Sequence, residues 1–372
     1  MLEKGRIGNF QLYLIILFII LPTAILSVPA VTTGIAKQAG WLAMALSLGF
    51  GVAMAVLYSI YFIKFPSKNL LEVGEMAFGK WVGRLIGIGY IGFLLHTGAA
   101  IIREFGEFLV TAVMPDTPLS VFIITITLLA AWAVYNGLEV IGRMSEFVFP
   151  LLSAATLIVI TLVVGEFDFA RLKPLQIFDM KVLLAASLIP SSWMGEAVLV
   201  TFIIPYVYQA RKQSWLWVIG AIVTVGSLLI IITSATILVF GYAEAARLTF
   251  PTFSLARIIS IGDIIERTES LVMAVWVAGV FVKITLWFYI LVLVTAQTFG
   301  LKSYKPLILP YAFCLITLSF WLFRNIMGFF QYISTTFPFW AMSFEVLIPI
   351  AVLTVALVRK RGKETSENKQ EA

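Results

Sequence analysis

A chain of 372 residues that is 61% hydrophobic and 12% charged, with a mean hydropathy of +1.01, carries more apolar surface than one soluble core can hide, which excludes a soluble globular protein and points to a membrane. Its net charge of +6 lies in short links between apolar runs and forms no basic patch interleaved with aromatics, so nucleic acid is excluded as a partner. One cysteine, Cys314, and one histidine, His96, leave no disulfide, CxxC motif, haem attachment or zinc cluster, and no metal or cofactor is expected.

The basic N-terminus, Met1 to Arg6, precedes an apolar run from Phe10 that is long and followed by many others, so it reads as an uncleaved first span rather than a signal peptide. Apolar windows of roughly 20 residues place ten spans near 10–35, 41–63, 84–113, 119–136, 144–164, 182–208, 214–240, 270–298, 307–323 and 336–358. These make one domain, 1–358, followed by a short polar tail, 359–372, expected to lack fixed structure. The stretch Lys64 to Lys80, Arg143, Arg211 with Lys212, and Lys302 with Lys305 fall on the same side as the N-terminus and the tail. That bias predicts both termini in the cytoplasm. Two connections on the other side exceed hairpin length. Glu166 to Lys181 is polar with a proline, and Tyr242 to Glu269 has apolar residues at helical spacing that predict one or two interfacial helices over the outer mouth.

An even number of spans with both termini on one side permits two five-helix halves, about 10–164 and 182–358, related by inversion. The spans that open the halves both carry prolines. The first reads LPTAILSVPA with Pro22 and Pro29, and the sixth reads IPSSWMGEAVLVTFIIP with Pro190 and Pro205 around Ser191, Ser192, Gly195 and Glu196. Proline removes a backbone donor and clashes with the preceding turn, so each span is expected to unwind or kink near mid-membrane. Backbone groups freed there need partners from protein, water or ligand, and paired broken helices point to a binding site at the bilayer midplane.

In the third span, His96, Arg103 and Glu107 fall within a stripe of about 40° at helical periodicity, with Glu104 to one side. A charge facing lipid costs at least ~2.5–3.5 kcal/mol, so that stripe is expected to face the bundle interior. Arg103 and Glu107, at i and i+4, can also simply pair with each other. Glu196 in the sixth span and Lys283 in the eighth each need a partner from another helix or from a ligand. Glu196 could face the ammonium of a bound amino acid while the amides of Thr23 to Val28 face its carboxylate. Alternatively, Lys283 forms a structural salt bridge with a glutamate, or stands as a tethered ammonium in place of a bound sodium ion. The candidate ligand-binding set is therefore Thr23, Ala24, Ser27, Gly98, Arg103, Glu107, Ser192, Trp193, Gly195, Glu196 and Lys283. Glu146 and Glu345 also lie inside apolar runs. The run GIGYIG at 87–92 lacks the strand context of a dinucleotide site, and Gly79, Gly83 and Gly87 at four-residue spacing predict close helix approach instead.

The segments NGLEVIGRMSEFVFPLL (136–152), GEFDFARLKPL (165–175) and FPTFSLARIISIGDIIERTE (250–269), with the ten-span layout, resemble the spore germination permease family. These are the B subunits of nutrient germinant receptors, similar to the amino acid, polyamine and organocation transporter superfamily. The resemblance implies an all-α membrane fold with a LeuT-like 5+5 inverted repeat, in the spore's inner membrane, assembled with an A subunit and a lipoprotein C subunit. It also implies a pocket between the first, third, sixth and eighth helices for a small nutrient, often an amino acid. One departure stands out: the first span offers TAILSVP where amino acid transporters carry a glycine-rich unwound segment. Two functional readings follow, a germinant-sensing subunit and a proton-coupled secondary transporter with Glu196, Glu107 or His96 carrying the proton. A membrane enzyme is not expected, because no nucleophile, base and metal ligands cluster.

Overall fold

The structure, a computed structural model, describes residues 2–173, 179–208, 210–258 and 268–370. In lipid the backbone must satisfy its own hydrogen bonds, so long apolar segments become helices. The first six are α1 (Asn9–Ala36), α2 (Gly40–Lys64), α3 (Leu70–Phe78), α4 (Lys80–Phe108), α5 (Leu119–Tyr135) and α6 (Leu138–Val163). They are followed by α7 (Met180–Gly195), α8 (Ala210–Phe240), the short α9 (Tyr242–Ala245) and α10 (Pro251–Ile258), and α11 (Thr268–Phe299). The chain ends with α12 (Ile308–Trp321), α13 (Ile326–Thr335), α14 (Phe337–Met342) and α15 (Ile348–Gln370).

Seven helical stretches among the described residues are long and apolar enough to cross a membrane, or eight if α12 and α13, bent by 98° at their junction, count as one. The first of these stretches, Asn9–Lys64, is 56 residues long and holds both α1 and α2. A single turn of 3-10 helix at Lys37–Ala39 joins them, with Lys37 at φ 52°, and both pack on α7 and α8. The chain therefore doubles back there.

Two helices form the centre. From Leu14 to Ala30 every residue of α1 is buried, and so is every residue of α11 from Val282 to Ala296. A helix that is apolar all round belongs in an interior, and the other helices pack around this pair. Glycines let neighbours close in: a Cβ at Gly87 would overlap the side chain of Thr298 on α11, and one at Gly83 would overlap Glu75 on α3. Gly83 and Gly87 thus serve close approach, whereas Gly79, at φ 90° with nothing within 4 Å, serves the turn between α3 and α4.

The expected interruption of the first span is corrected: α1 is helical from Asn9 to Ala36 with Pro22 and Pro29 inside it. The reason lies in its neighbours. Pro29 has no N–H to give the carbonyl of Ile25, and the hydroxyl of Thr252 on α10 donates to that carbonyl instead. Trp276 on α11 donates its indole N–H to the carbonyl of Pro22 at 2.6 Å. With a freed carbonyl satisfied from outside, the helix stays wound.

The sixth span does break, where expected. α7 ends at Gly195 and the backbone rewinds as 3-10 helix over Glu196–Phe202 and again over Ile204–Tyr206, with Pro205 in the last turn. A second irregularity appears in the tenth span, where α14 and α15 are joined by a π-helical stretch, Ser343–Leu347. Of the one or two helices expected between Tyr242 and Glu269, the described residues hold α9 and α10, while 259–267 lie outside the described residues. The polar tail is also corrected: α15 continues through it to Gln370, in keeping with a run of Lys, Arg, Glu and Gln, all good helix formers.

The N-terminal segment crosses one end of the bundle. Ile7 pairs with the chain just past the broken span, its N–H donating to the carbonyl of Tyr206 at 3.0 Å and its carbonyl accepting from Tyr208 at 2.8 Å. The carboxylate of Glu3 accepts from the amide of Leu138 at 3.2 Å and from the hydroxyls of Tyr289 and Tyr304 at 3.1 Å each.

Candidate functional site

The change of winding after Gly195 turns Glu196 toward the bundle axis, where it meets Lys283 of α11. The ammonium of Lys283 lies 2.7 Å from Glu196 Oε2 and donates to Thr23 Oγ1 of α1 at 2.6 Å. Trp193 donates its indole N–H to the same Thr23 oxygen at 3.1 Å. All four residues are buried, Lys283 completely, and each charge is compensated by the other. Of the two readings of Lys283, the geometry selects the salt bridge.

Beside this network lies a cavity of about 20 Å³, large enough for a water molecule or an ammonium-sized group. Thr23, Trp193 and Glu196 line one side of it. Thr97 and Glu104 of α4 line another, and Phe329 and Tyr332 of α13 with Phe337 of α14 close it. Two buried polar atoms in its wall, Glu104 Oε1 and Thr97 Oγ1, have no hydrogen-bond partner among the described residues. Buried polar atoms are almost always paired, and these two orphans border the same small space. Tyr332 in turn shares a 3.1 Å hydrogen bond with Nδ1 of His96. A roomier cavity of about 60 Å³, between α1, α6, α8, α10 and α11, has apolar walls and no ionisable residue.

The structure divides the sequence-derived set. Thr23, Trp193 and Glu196 line the cavity, and Lys283 stands one hydrogen bond behind it. Gly195 sits at the break, against the side chain of Glu345. Ser192 and Ser27 turn their hydroxyls back to their own helices, to the carbonyls of Ile189 at 2.6 Å and Thr23 at 3.3 Å. Ala24 is packed inside α1, and Gly98 faces Leu315 of α12. Because α1 is continuous, the expected cradle of free amides from Thr23 to Val28 is absent. Arg103 and Glu107 form their own ion pair at 2.6 Å, and Arg103 also donates to the carbonyl of Ser319 on α12 at 3.0 Å. They face α12 and not the cavity.

Sequence reasoning passed over Thr97 and Glu104, and the signal was there. Residues 97, 100, 101 and 104 are spaced i, i+3, i+4 and i+7, a single helix face that ends in a carboxylate.

A family model described as spore germination protein matches residues 6–326. The chain belongs to the spore germination protein family. This germination protein is 25% identical over 375 residues to spore germination protein KB of Bacillus subtilis (strain 168), with 99% of each chain covered. It is also 25% identical over 366 residues to spore germination protein YndE of the same organism, covering 97% of this chain and 99% of that one. Among solved structures it is similar to a nucleobase-cation-symport-1 family transporter in a closed conformation with bromovinylhydantoin bound. That match has a TM-score of 0.69 and 16% identity, and covers 96% of this chain and 80% of the other. It is similar too to a Na+-coupled sialic acid symporter in a substrate-bound outward-open state, with a TM-score of 0.63, 12% identity, and 95% and 90% covered. At such identities the likeness speaks for the fold, a LeuT-like transporter fold. The germination protein is thus a multi-pass, transporter-like membrane protein, and its relatives are not enzymes.

Proposed function

We propose that the chain is the nutrient-sensing subunit of a spore germinant receptor, which binds a small amine-bearing nutrient, an amino acid first among them, at the bilayer midplane. In this reading α1 and α2 count separately, α5 is a short crossing, and α12 with α13 is one bent span. The resulting ten spans form a 5+5 inverted repeat, with both termini cytoplasmic and the protein in the spore's inner membrane beside A and C subunits.

The observation that carries the reading is the pair of unpartnered atoms, Glu104 Oε1 and Thr97 Oγ1, in a cavity with aromatic walls at the break of α7. An ammonium supplies the hydrogen-bond donors these two atoms lack, adds to the positive charge that Lys283 already presents to Glu104, and offers a cation to the faces of Trp193 and Tyr332. Glu196 is less suited to that role, since Lys283 already holds it. At about 20 Å³ the cavity admits the ammonium head and not the rest of an amino acid. The α13–α14 wall has to move to admit a whole ligand, and that movement is what partner subunits would sense. A ligand shifts such an equilibrium only by binding one state better than the other.

Titration of the protein in nanodiscs with L-amino acids and simple alkylamines tests this. Saturable binding that is lost in Glu104→Gln, at unchanged melting temperature, is expected. Failure of every amine to bind would refute the reading.

The second reading is a proton-coupled secondary transporter of amino acids or organic cations; the neighbours, one a Na+-coupled symporter and one a nucleobase-cation symporter, support cation-coupled transport in general. Robust counterflow of a bound amine in liposomes holding this chain alone would select it over sensing.

A further inference from the structure

Glu345 sits on the π-helical stretch Ser343–Leu347, is 0% exposed, and neither of its carboxyl oxygens has a hydrogen-bond partner among the described residues. Helix irregularities of this kind recur at functional sites. The ionisable groups whose fields meet its carboxyl are Tyr58 on α2, Tyr90 on α4, Glu196 beyond α7, Lys283 on α11 and Tyr332 on α13. Every donor among them is engaged elsewhere. The Tyr58 hydroxyl donates to the carbonyls of Gly195 and Glu345 at 3.1 and 2.7 Å, and that of Tyr90 to the carbonyl of Phe344 at 2.6 Å. Lys283 serves Glu196 and Thr23, and Tyr332 is bonded to His96. A bare carboxylate here would be shut off from bulk solvent and without a donor among the described residues, with the negative charge of Glu196 facing it.

The carboxyl also presses on the break in α7. A Cβ added at Gly195 would overlap it, so a metal cation with its coordination shell has no room on that side. A proton needs none. Tyr58 ties the two backbones together at this point, one hydroxyl holding a carbonyl from each.

We propose that Glu345 is a proton-binding site whose occupancy is coupled to the Gly195–Glu196 break: the carboxyl is protonated in the conformation seen here and releases its proton to water when that region opens. In the release the O–H bond breaks, the electron pair stays on the carboxylate, and the proton leaves to solvent. The new anion then shares Lys283 with Glu196. Glu345 does not line the nutrient cavity, although Glu196 and Tyr332 border the cavity and face Glu345 as well.

Infrared difference spectra of wild type minus Glu345→Gln, in nanodiscs at neutral pH, read the protonation state. The expected result is a carbonyl-stretch band of a carboxylic acid present in wild type and lost in the variant. Carboxylate bands in that difference at neutral pH would overturn the proposal. Coupling is read from thiol labelling of Ser192→Cys in a Cys314→Ala background. The labelling rate should rise severalfold as alkaline pH removes the acid band, and should be flat with pH when Glu345→Gln is added. Equal pH dependence in both would refute the coupling. Glu345→Met provides an independent check, since a neutral carboxyl without hydrogen bonds is replaceable by a neutral side chain of its size. Failure of both Gln and Met variants to fold would count against a protonated Glu345.

Discussion

Lys283 and Glu196 show how far a single residue can be read from its sequence context. Each stands alone in an apolar run, each needed a partner from another helix, and the structure joins them at 2.7 Å. Removing one partner of a buried pair leaves an uncompensated charge and costs ~3–5 kcal/mol. Lys283→Met alone should therefore lower the melting temperature sharply, and Lys283→Met with Glu196→Gln should recover most of the loss. A double variant no more stable than the single one would remove the pair from the argument. Arg103 and Glu107 were equally legible as a pair, because i and i+4 spacing is local. Which neighbour their face would meet was not legible. Periodicity groups residues on one face of a helix, but whether that face meets α12 or a cavity depends on contacts more than 200 positions away, such as Arg103 to Ser319, 216 residues apart. For that reason Glu104, one residue from Arg103, was set aside although it lines the cavity.

Among elements, the prolines separate what the sequence tells from what it leaves out. A proline inside a helix costs about 3 kcal/mol or more, partly through the carbonyl it leaves unpaired. In α1 the carbonyl freed by Pro29 is taken by Thr252, 227 residues along the chain. In the tenth span Pro349 has no N–H for the carbonyl of Glu345, and Tyr58 takes it. The sequence displays each proline and hides each rescuing hydroxyl, so unwinding was expected equally in both halves and occurs at α7, where glycine and serines surround the bend. Thr252→Val should leave the Ile25 carbonyl bare and cost ~1–3 kcal/mol, while Thr252→Ser should restore stability; thermal melts of the two decide it. Should Val and Ser melt alike, the hydroxyl has no part in keeping α1 wound.

For the whole molecule, most span limits were readable because hydropathy alone sorts lipid-spanning segments from links, whereas the central place of α1 and α11 was not, since every span is apolar. The strap at the N-terminus was not readable, since so short a run of mixed charged and apolar residues carries no periodicity. It joins distant parts of the bundle: Glu3 reaches the start of α6, α11 and the α11–α12 link, and Ile7 holds the end of the broken span. Burial and the neighbouring Glu3 push the Tyr304 phenol above its ordinary range, so it remains a donor throughout the physiological pH range. Glu3→Ala should loosen that end of the bundle and speed thiol labelling of Tyr206→Cys in the Cys314→Ala background. Unchanged labelling would mean the strap closes nothing. A last consequence concerns how the chamber could be retuned. Its aromatic wall, Phe329 and Tyr332 on α13 with Phe337 on α14, follows directly on the 98° elbow between α12 and α13. Turning that elbow would shift the wall and change the chamber's width, so exchanging residues 326–342 for those of a relative should alter which amines bind. An unchanged binding profile would place selectivity elsewhere.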